Sequence, residues 1–414
     1  MKNDFRLLLV FTALTCSFAL FRTVAAEREF PSPPEVHAER TIIAELGHEH
    51  LANAVYRRGV EGPRIAAWGD RIVQWPLQPA ATTAEVVSTN KARVTYSNGG
   101  CAMDLQGDGI DEVIVCRIPR VANGSELLWW EEKPGQRPWQ EHLIARLDHE
   151  RLGAPHDLVP FVMAGKSGPA RRGVVAVITR RQLVWFELPE DVRGSWPQHS
   201  IATLPAKKQS GIAIGDIAGH GRPDVACGMF WAECPPDPTS ETWKVHRFGT
   251  WDGNGWGGMT KHGLADFDGD GQIDIVAAEA EIPESRLAIF TRKPGDPDAN
   301  WESHPIDTGL YCPHSLIVAD VNADGRPDVL VGEMTAGGWS FPLNPKPQLL
   351  LYLNNGHLRF TRVILDTGWG IHEMRLAPPR QDGKLQLCAA DEIQLQKFKD
   401  MNTHVVLWTL GVQR

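Results

Sequence analysis

Short apolar runs on either side of acidic turns recur along the chain. GGCAMDLQGDGIDEVIVC, beginning at Gly99, reads as strand, turn, strand, and three segments share its form: SGIAIGDIAGHGRPDVACG from Ser210, KHGLADFDGDGQIDIVAAE from Lys261 and HSLIVADVNADGRPDVLVGE from His314. Their anchor acids Asp104, Asp216, Asp266 and Asp320 lie 112, 50 and 54 residues apart, and the first interval is two periods. The skipped unit is PHDLVPFVMAGKSGPARRGVVAVI, whose turn has lost its acids. A further unit follows at IHEMRLAPPRQDGKLQLCAADE, and a faint one precedes the series at HLANAVYRRGVEGPRIAAW. Fixed-period self-similarity of this kind marks a repeat architecture.

Each unit continues into two more strand-like runs, as in RLAIFTRKPGDPDANWESHPID and QLLLYLNNGHLRFTRVILD. Four short strands per unit, with Pro/Gly turns between them, predict a β-propeller blade. The length accommodates seven. The predicted fold is therefore an all-β, seven-bladed β-propeller of four-stranded antiparallel blades. The chain ends on HVVLWTL, a third strand without a fourth, and AERTIIAEL near the N-terminus is a strand without a blade. Pairing Glu39–Leu46 with His404–Leu410 closes the ring and removes an exposed edge.

Composition narrows the setting. Lys2 and Arg6 precede the apolar run LLLVFTALTCSFALF, and Val24, Ala25 and Ala26 follow as small residues, so residues 1–26 read as an export signal and 27–414 as a single propeller domain. No later apolar run is long enough to span a bilayer, which predicts a secreted or periplasmic protein with no membrane span. The net charge is −9 and there is no basic run, which argues against nucleic acid as a partner. Among the cysteines beyond residue 26, Cys101 and Cys116 flank one predicted hairpin and form the best candidate disulfide.

In DFDGDGQID the carboxylates of Asp266, Asp268, Asp270 and Asp274 alternate with Gly269 and Gly271. A tight turn of this kind aims several oxygens at one point, which suits a hard cation such as Ca2+. It is not an EF-hand, because the last acid comes at the ninth position and a strand follows. These turns resemble the calcium loops of FG-GAP/VCBS repeat propellers. Asp320, Asn322, Asp324 and Asp328 match that pattern, and Asp104, Gln106, Asp108 and Glu112 match it with substitutions. Asp216, Ala218, His220 and Asp224 depart at two ligands, so no ion is expected there. The resemblance implies structural calcium rather than catalysis in these loops.

Topology directs the search for chemistry to the opposite end of each blade. His262 lies four residues before Asp266, roughly 13 Å along an extended strand. The start of the first strand in other units carries His48 and His50, His156, His314 and His372. First strands surround the propeller axis, so these imidazoles are expected to converge on one mouth of the central channel. Arg117, Arg180, Glu279, Glu281, Glu333, Asp391 and Glu392 end second strands at the same level, with Glu333 and Asp391 expected near the imidazoles. Trp251, Trp256, Trp339 and Trp369 lie in loops leading to it and offer faces for stacking on sugar rings. The tryptophans of WWEE, VWFE and PWQEH sit on outer strands and read as packing.

Imidazole titrates near neutral pH and ligates transition metals. His156, His262, His314 and His372 are thus candidates for acid/base work, for holding Zn2+ or another divalent transition metal, or for both. Arg117, Arg180, Trp256, Trp339 and Trp369 are the candidate substrate contacts. With export, this predicts a carbohydrate ligand and lyase or dehydratase chemistry on a sugar acid or keto-sugar. The chain is similar, by its repeat and its histidines, to the propeller of the aldos-2-ulose dehydratases and more loosely to propeller polysaccharide lyases. The alternative is a non-catalytic carbohydrate- or protein-binding FG-GAP/VCBS propeller.

Overall fold

The computed structural model describes residues 35–47, 51–77, 83–88, 94–119, 124–147, 154–164, 169–179, 181–205, 209–249, 260–292, 301–335, 342–378, 380–390 and 403–413. The proposed export signal lies outside them, as do His48, His50, Arg180, Trp251, Trp256, Trp339, Asp391 and Glu392.

Seven four-stranded antiparallel sheets make up the fold, each in simple up-and-down order except the last. The innermost strands of blades one to seven are Asn53–Gly59, Val94–Met103, Leu158–Met163, Ile212–Gly215, Thr260–Ala265, Ser315–Ala319 and Arg375–Ala377. Inner strands of successive blades touch one another from blade one to blade six, and that of blade seven touches that of blade one, so they line the centre of the ring. Blade seven is completed by Glu35–Gly47, which pairs antiparallel with Thr403–Gln413; Glu39 faces Thr409 and Glu45 faces His404. The expected closure is therefore present, and a paired outer strand replaces an open edge.

Burial follows strand position. Second strands such as Asp274–Glu279 and Asp328–Gly332 are buried along their whole length, because neighbouring blades cover both faces. Their continuous apolar runs reflect this. Fourth strands such as Gln140–Leu147 mix exposed and buried residues. The core is a series of seams between blades: Tyr96, Val113 and Trp130 of blade two meet Ala66, Trp68 and Ile72 of blade one, and Val276 and Leu287 of blade five meet Val329 and Tyr352 of blade six. Close approach at the centre demands small residues. A Cβ on Gly263 would lie 2.3 Å from Val318 Cγ2.

Three third strands carry a Trp-x-Glu pattern whose tryptophan packs on a histidine of the fourth strand, stacked in two of them and tilted in the third. Trp129 and His142 are 4.1 Å apart between ring centroids, Trp231 and His246 4.2 Å, and Trp185 and His199 4.9 Å. In each, imidazole Nε2 bonds the glutamate two residues past the tryptophan: Glu131, Glu233 or Glu187. These outer-strand rings pack within their blades, as expected for the tryptophans of WWEE and VWFE. The Cys101–Cys116 disulfide is not formed. Both thiols are free and buried; Cys101 faces Ile114 across the hairpin, two residues short of Cys116.

Candidate functional site

The backbone register separates two ends of each blade. In blade five, Thr260 pairs with Glu279 at one end and Ala265 with Asp274 at the other, so inner-strand starts and acidic turns lie on opposite faces.

At the first end, His156, His314 and His372 precede the inner strands of blades three, six and seven, and all three are buried. His156 and His314 have ring centroids 5.8 Å apart, and His314 stacks on His372 at 4.3 Å. Blades three and six are not neighbours, so their histidines meet only across the axis. Glu281, two residues past the second strand of blade five, joins them. Its Oε1 lies 3.4 Å from His156 Nε2 and 3.6 Å from His314 Nε2. The first distance is that of an ion pair rather than a good hydrogen bond, and the buried His156 Nε2 makes no hydrogen bond among the described residues.

Behind the imidazoles lies a buried ionic chain. His156 Nδ1 is 2.9 Å from Asp157 Oδ2, which also accepts the Gly211 N–H at 2.9 Å. His314 Nδ1 is 3.0 Å from the His372 carbonyl and 3.4 Å from Glu373 Oε1. The Lys261 ammonium joins the two carboxylates, 2.9 Å from Asp157 Oδ1 and hydrogen-bonded to Glu373 Oε1, and Arg375 pairs with Glu373 Oε2. Burial by itself raises a carboxylate's pKa, but Lys261 and His156 hold Asp157 well below the usual range, and Lys261 and Arg375 do so for Glu373. Burial and Lys261 lower His314, yet Glu281 and Glu373 outweigh them and push it up to about 9.

His262 does not join this cluster. Its Nε2 lies 2.6 Å from the Gly228 carbonyl and 3.0 Å from Thr260 Oγ1, between blades four and five, and burial lowers it to about 4. Successive strand residues point to opposite sides, so Lys261 takes the axial direction and His262 the seam. Glu333 is also elsewhere: its carboxylate accepts the Tyr311 and Gln348 N–H groups and the Asn344 amide. Among the described residues, the carboxylates at the axis are Glu281, Asp157 and Glu373. The last two directly follow a histidine, in PHD and IHE, and that dipeptide is the signal that could have found them. Arg117 pairs with Glu126 and Glu141 inside its own blade. Trp369 lies under the Arg40 guanidinium at 4.4 Å and edge-on to His404, against the closing strand.

At the opposite end, the acidic turns share one hydrogen-bond plan. Asp266 accepts the N–H groups of Gly269, Asp270 and Gly271; Asp320 accepts those of Asp324 and Gly325; Asp104 accepts those of Gly107, Asp108 and Gly109. Gly269 and Gly271 take φ of 83° and 86°, the left-handed region that glycine enters without strain. Oxygens of Asp266, Asp268 and Asp274 lie within 4.8 Å of one another. Asp270 turns to Gln272, Asp324 pairs with Arg326, and Asn322 bonds Asp324. Burial pushes Asp274 up to about 7, reinforced by Asp268 and Asp270; it pushes Glu112 to about 7 and Asp328 to about 6. In the divergent turn His220 takes the third-acid place, 3.2 Å from Asp216 and 3.4 Å from Asp224.

The FG-GAP-like repeat family matches residues 242–331, a stretch that contains the Asp266 and Asp320 turns together with Lys261, Glu281 and His314. No curated protein matches the chain. Among solved structures, a mutant of the Aleuria aurantia lectin in complex with alpha-methyl-L-fucoside aligns over 81% of this chain and 98% of its own at 13% identity, with a TM-score of 0.40. That similarity is too low to bear on function. The chain is a seven-bladed β-propeller that carries an FG-GAP-like repeat match across its fifth blade and into its sixth.

Proposed function

We propose that the axial cluster is the metal-dependent active site of an exported lyase or dehydratase acting on a sugar acid or keto-sugar. One observation carries this reading: His156, His314 and Glu281 each offer a ligand atom, all within 4.8 Å of one another. Two imidazoles and one carboxylate are the ligand set of catalytic zinc and related ions, with positions left open. The unpartnered His156 Nε2 fits such an ion. A second set, His314, His372 and Glu373, is buried throughout, whereas the Glu281 side chain keeps 36% exposure. An ion that meets substrate belongs on the exposed side.

A divalent ion held there supplies a Lewis acid for the carboxylate or carbonyl of the substrate. The remaining work falls to the chain. His372 places Nδ1 3.1 Å from the Ala52 carbonyl, which requires an N–H there and leaves Nε2 as its basic nitrogen. It is the candidate base for the proton next to the acid or carbonyl group. Lys261 is held as a cation by two carboxylates and is unsuited to that task. In the acidic turns, the raised Asp274, Glu112 and Asp328 are carboxylates that burial disfavours and a cation relieves, which supports structural Ca2+.

Elemental analysis of the purified chain, followed by a screen of sugar acids and keto-sugars for ultraviolet-absorbing unsaturated products, tests the proposal. One transition metal ion per chain and a product that His314→Ala abolishes are expected, with little change in calcium content. The burial of His314 and His372 favours one rival, a binding propeller whose axial ion only ties blades together. Metal without turnover on any substrate, and stability lost in His314→Ala, would establish the rival.

A further inference from the structure

Lys261 stands at the centre of the axial chain, and nothing in the proposed chemistry uses it. We infer that it is a positioning residue: by holding Asp157 and Glu373 together it fixes the tautomer of His156 and the carboxylate that backs His314. The inference rests on the metal reading above. Each proposed ligand imidazole has its Nδ1 on an acceptor. For His156 that acceptor is Asp157, and for His314 it is the His372 carbonyl with Glu373 beside it. A carboxylate or carbonyl at Nδ1 demands N–H there, so in the neutral form of each ring the lone pair sits on Nε2, the atom nearest Glu281. Such outer partners orient metal-bound histidines and raise their basicity.

The partners come from separate blades: Asp157 from blade three, Glu373 from the start of blade seven. Without Lys261 the two buried carboxylates repel, and since Glu373 keeps Arg375 as a partner, Asp157 is the one left to swing away from its histidine. A carboxylate that has swung away no longer holds a donor at Nδ1. The ammonium of Lys261, from blade five, prevents this and couples both histidines to one charge. A purely structural lysine would share the burial and the ion pairs, so the test must separate affinity from stability.

The full chain, stripped of metal, is titrated with Co2+ alone and followed by calorimetry and by the visible absorption of the bound ion. The wild type is expected to take up Co2+ at a site that Glu281→Ala removes. Lys261→Gln is expected to weaken that uptake about 10- to 100-fold, the usual effect of losing an outer partner. Lys261→Arg is expected to restore most of it. Arg57→Met breaks another buried pair, Arg57–Glu132 at 2.7 Å, and is expected to lower the melting temperature with Co2+ affinity unchanged. If Lys261→Gln does not fold, the combination Asp157→Asn, Lys261→Met and Glu373→Gln removes the facing carboxylates as well and should show the same weakening. Wild-type affinity in Lys261→Gln, or in that combination, overturns the positioning role alone. A wild type that takes up no Co2+ sensitive to Glu281→Ala overturns the metal reading, and this role with it.

Discussion

Lys261 and His262 are adjacent, yet they belong to different environments. The lysine reaches acids from blades three and seven, while the histidine is locked in a seam on the Gly228 carbonyl. His262 makes a pH prediction of definite sign. Burial lowers it to about 4 in the fold, against about 6.5 for an unfolded chain, so the unfolded state takes up the proton first. Its contribution is complete above pH 6.5 and is lost as pH falls from there through 4, to a total of about 3 kcal/mol. Urea unfolding at pH 7 and pH 4.5 should show a smaller acid loss in His262→Gln than in the wild type. Equal losses would mean that His262 is protonated, or exposed, in the native state.

Among elements, the hairpin between first and second strands carries the repeat signal. Its first acid accepts two or three backbone N–H groups, and its last, such as Asp274 on the Phe267 N–H, is buried under the turn. Backbone hydrogen bonds thus hold the turn alongside any ion. The calcium proposal therefore predicts a graded effect: a chelator lowers the melting temperature because the native state loses a bound ligand, by about 2.7 kcal/mol where the free ion stood at 100 times its Kd. Asp268→Ala should lose part of that response and Asp216→Ala none of it. A melting temperature indifferent to chelator makes the loops polar turns and nothing more.

The whole molecule depends on closure. Glu35–Gly47 supplies the outer strand of blade seven, where Arg40 pairs with Asp366 of blade six and covers Trp369. A chain that begins at Leu51 would leave Thr403–Gln413 as an unpaired edge and open the contact with blade six. Edge-to-edge association is the expected result. Size-exclusion chromatography should show oligomers or aggregate, with a lowered melting temperature. A monomer that melts like the full chain would show that the N-terminal strand is dispensable.

Blade number, strand order, the closing strand and the position of the acidic turns were legible in the sequence because each is a local pattern repeated. Apolar alternation, turn glycines and spaced acids reflect contacts within about twenty residues, and repetition multiplies the signal. The histidines at inner-strand starts were legible for the same reason. Their partners were not. Glu281 was read at their level but not as their partner, and Asp157, Lys261 and Glu373 were not read as site residues at all. The contacts of these four residues, from three blades, with His314 and with one another exist only once the ring closes. Glu333 and His262 satisfied the same positional rule but were turned away, one by backbone donors at its own blade edge and the other by the alternation of a single strand. The repeat determined which residues stand at the axis end of each blade. Only tertiary packing decided which side chains face one another there, because that depends on side-chain direction and on blades far apart in sequence.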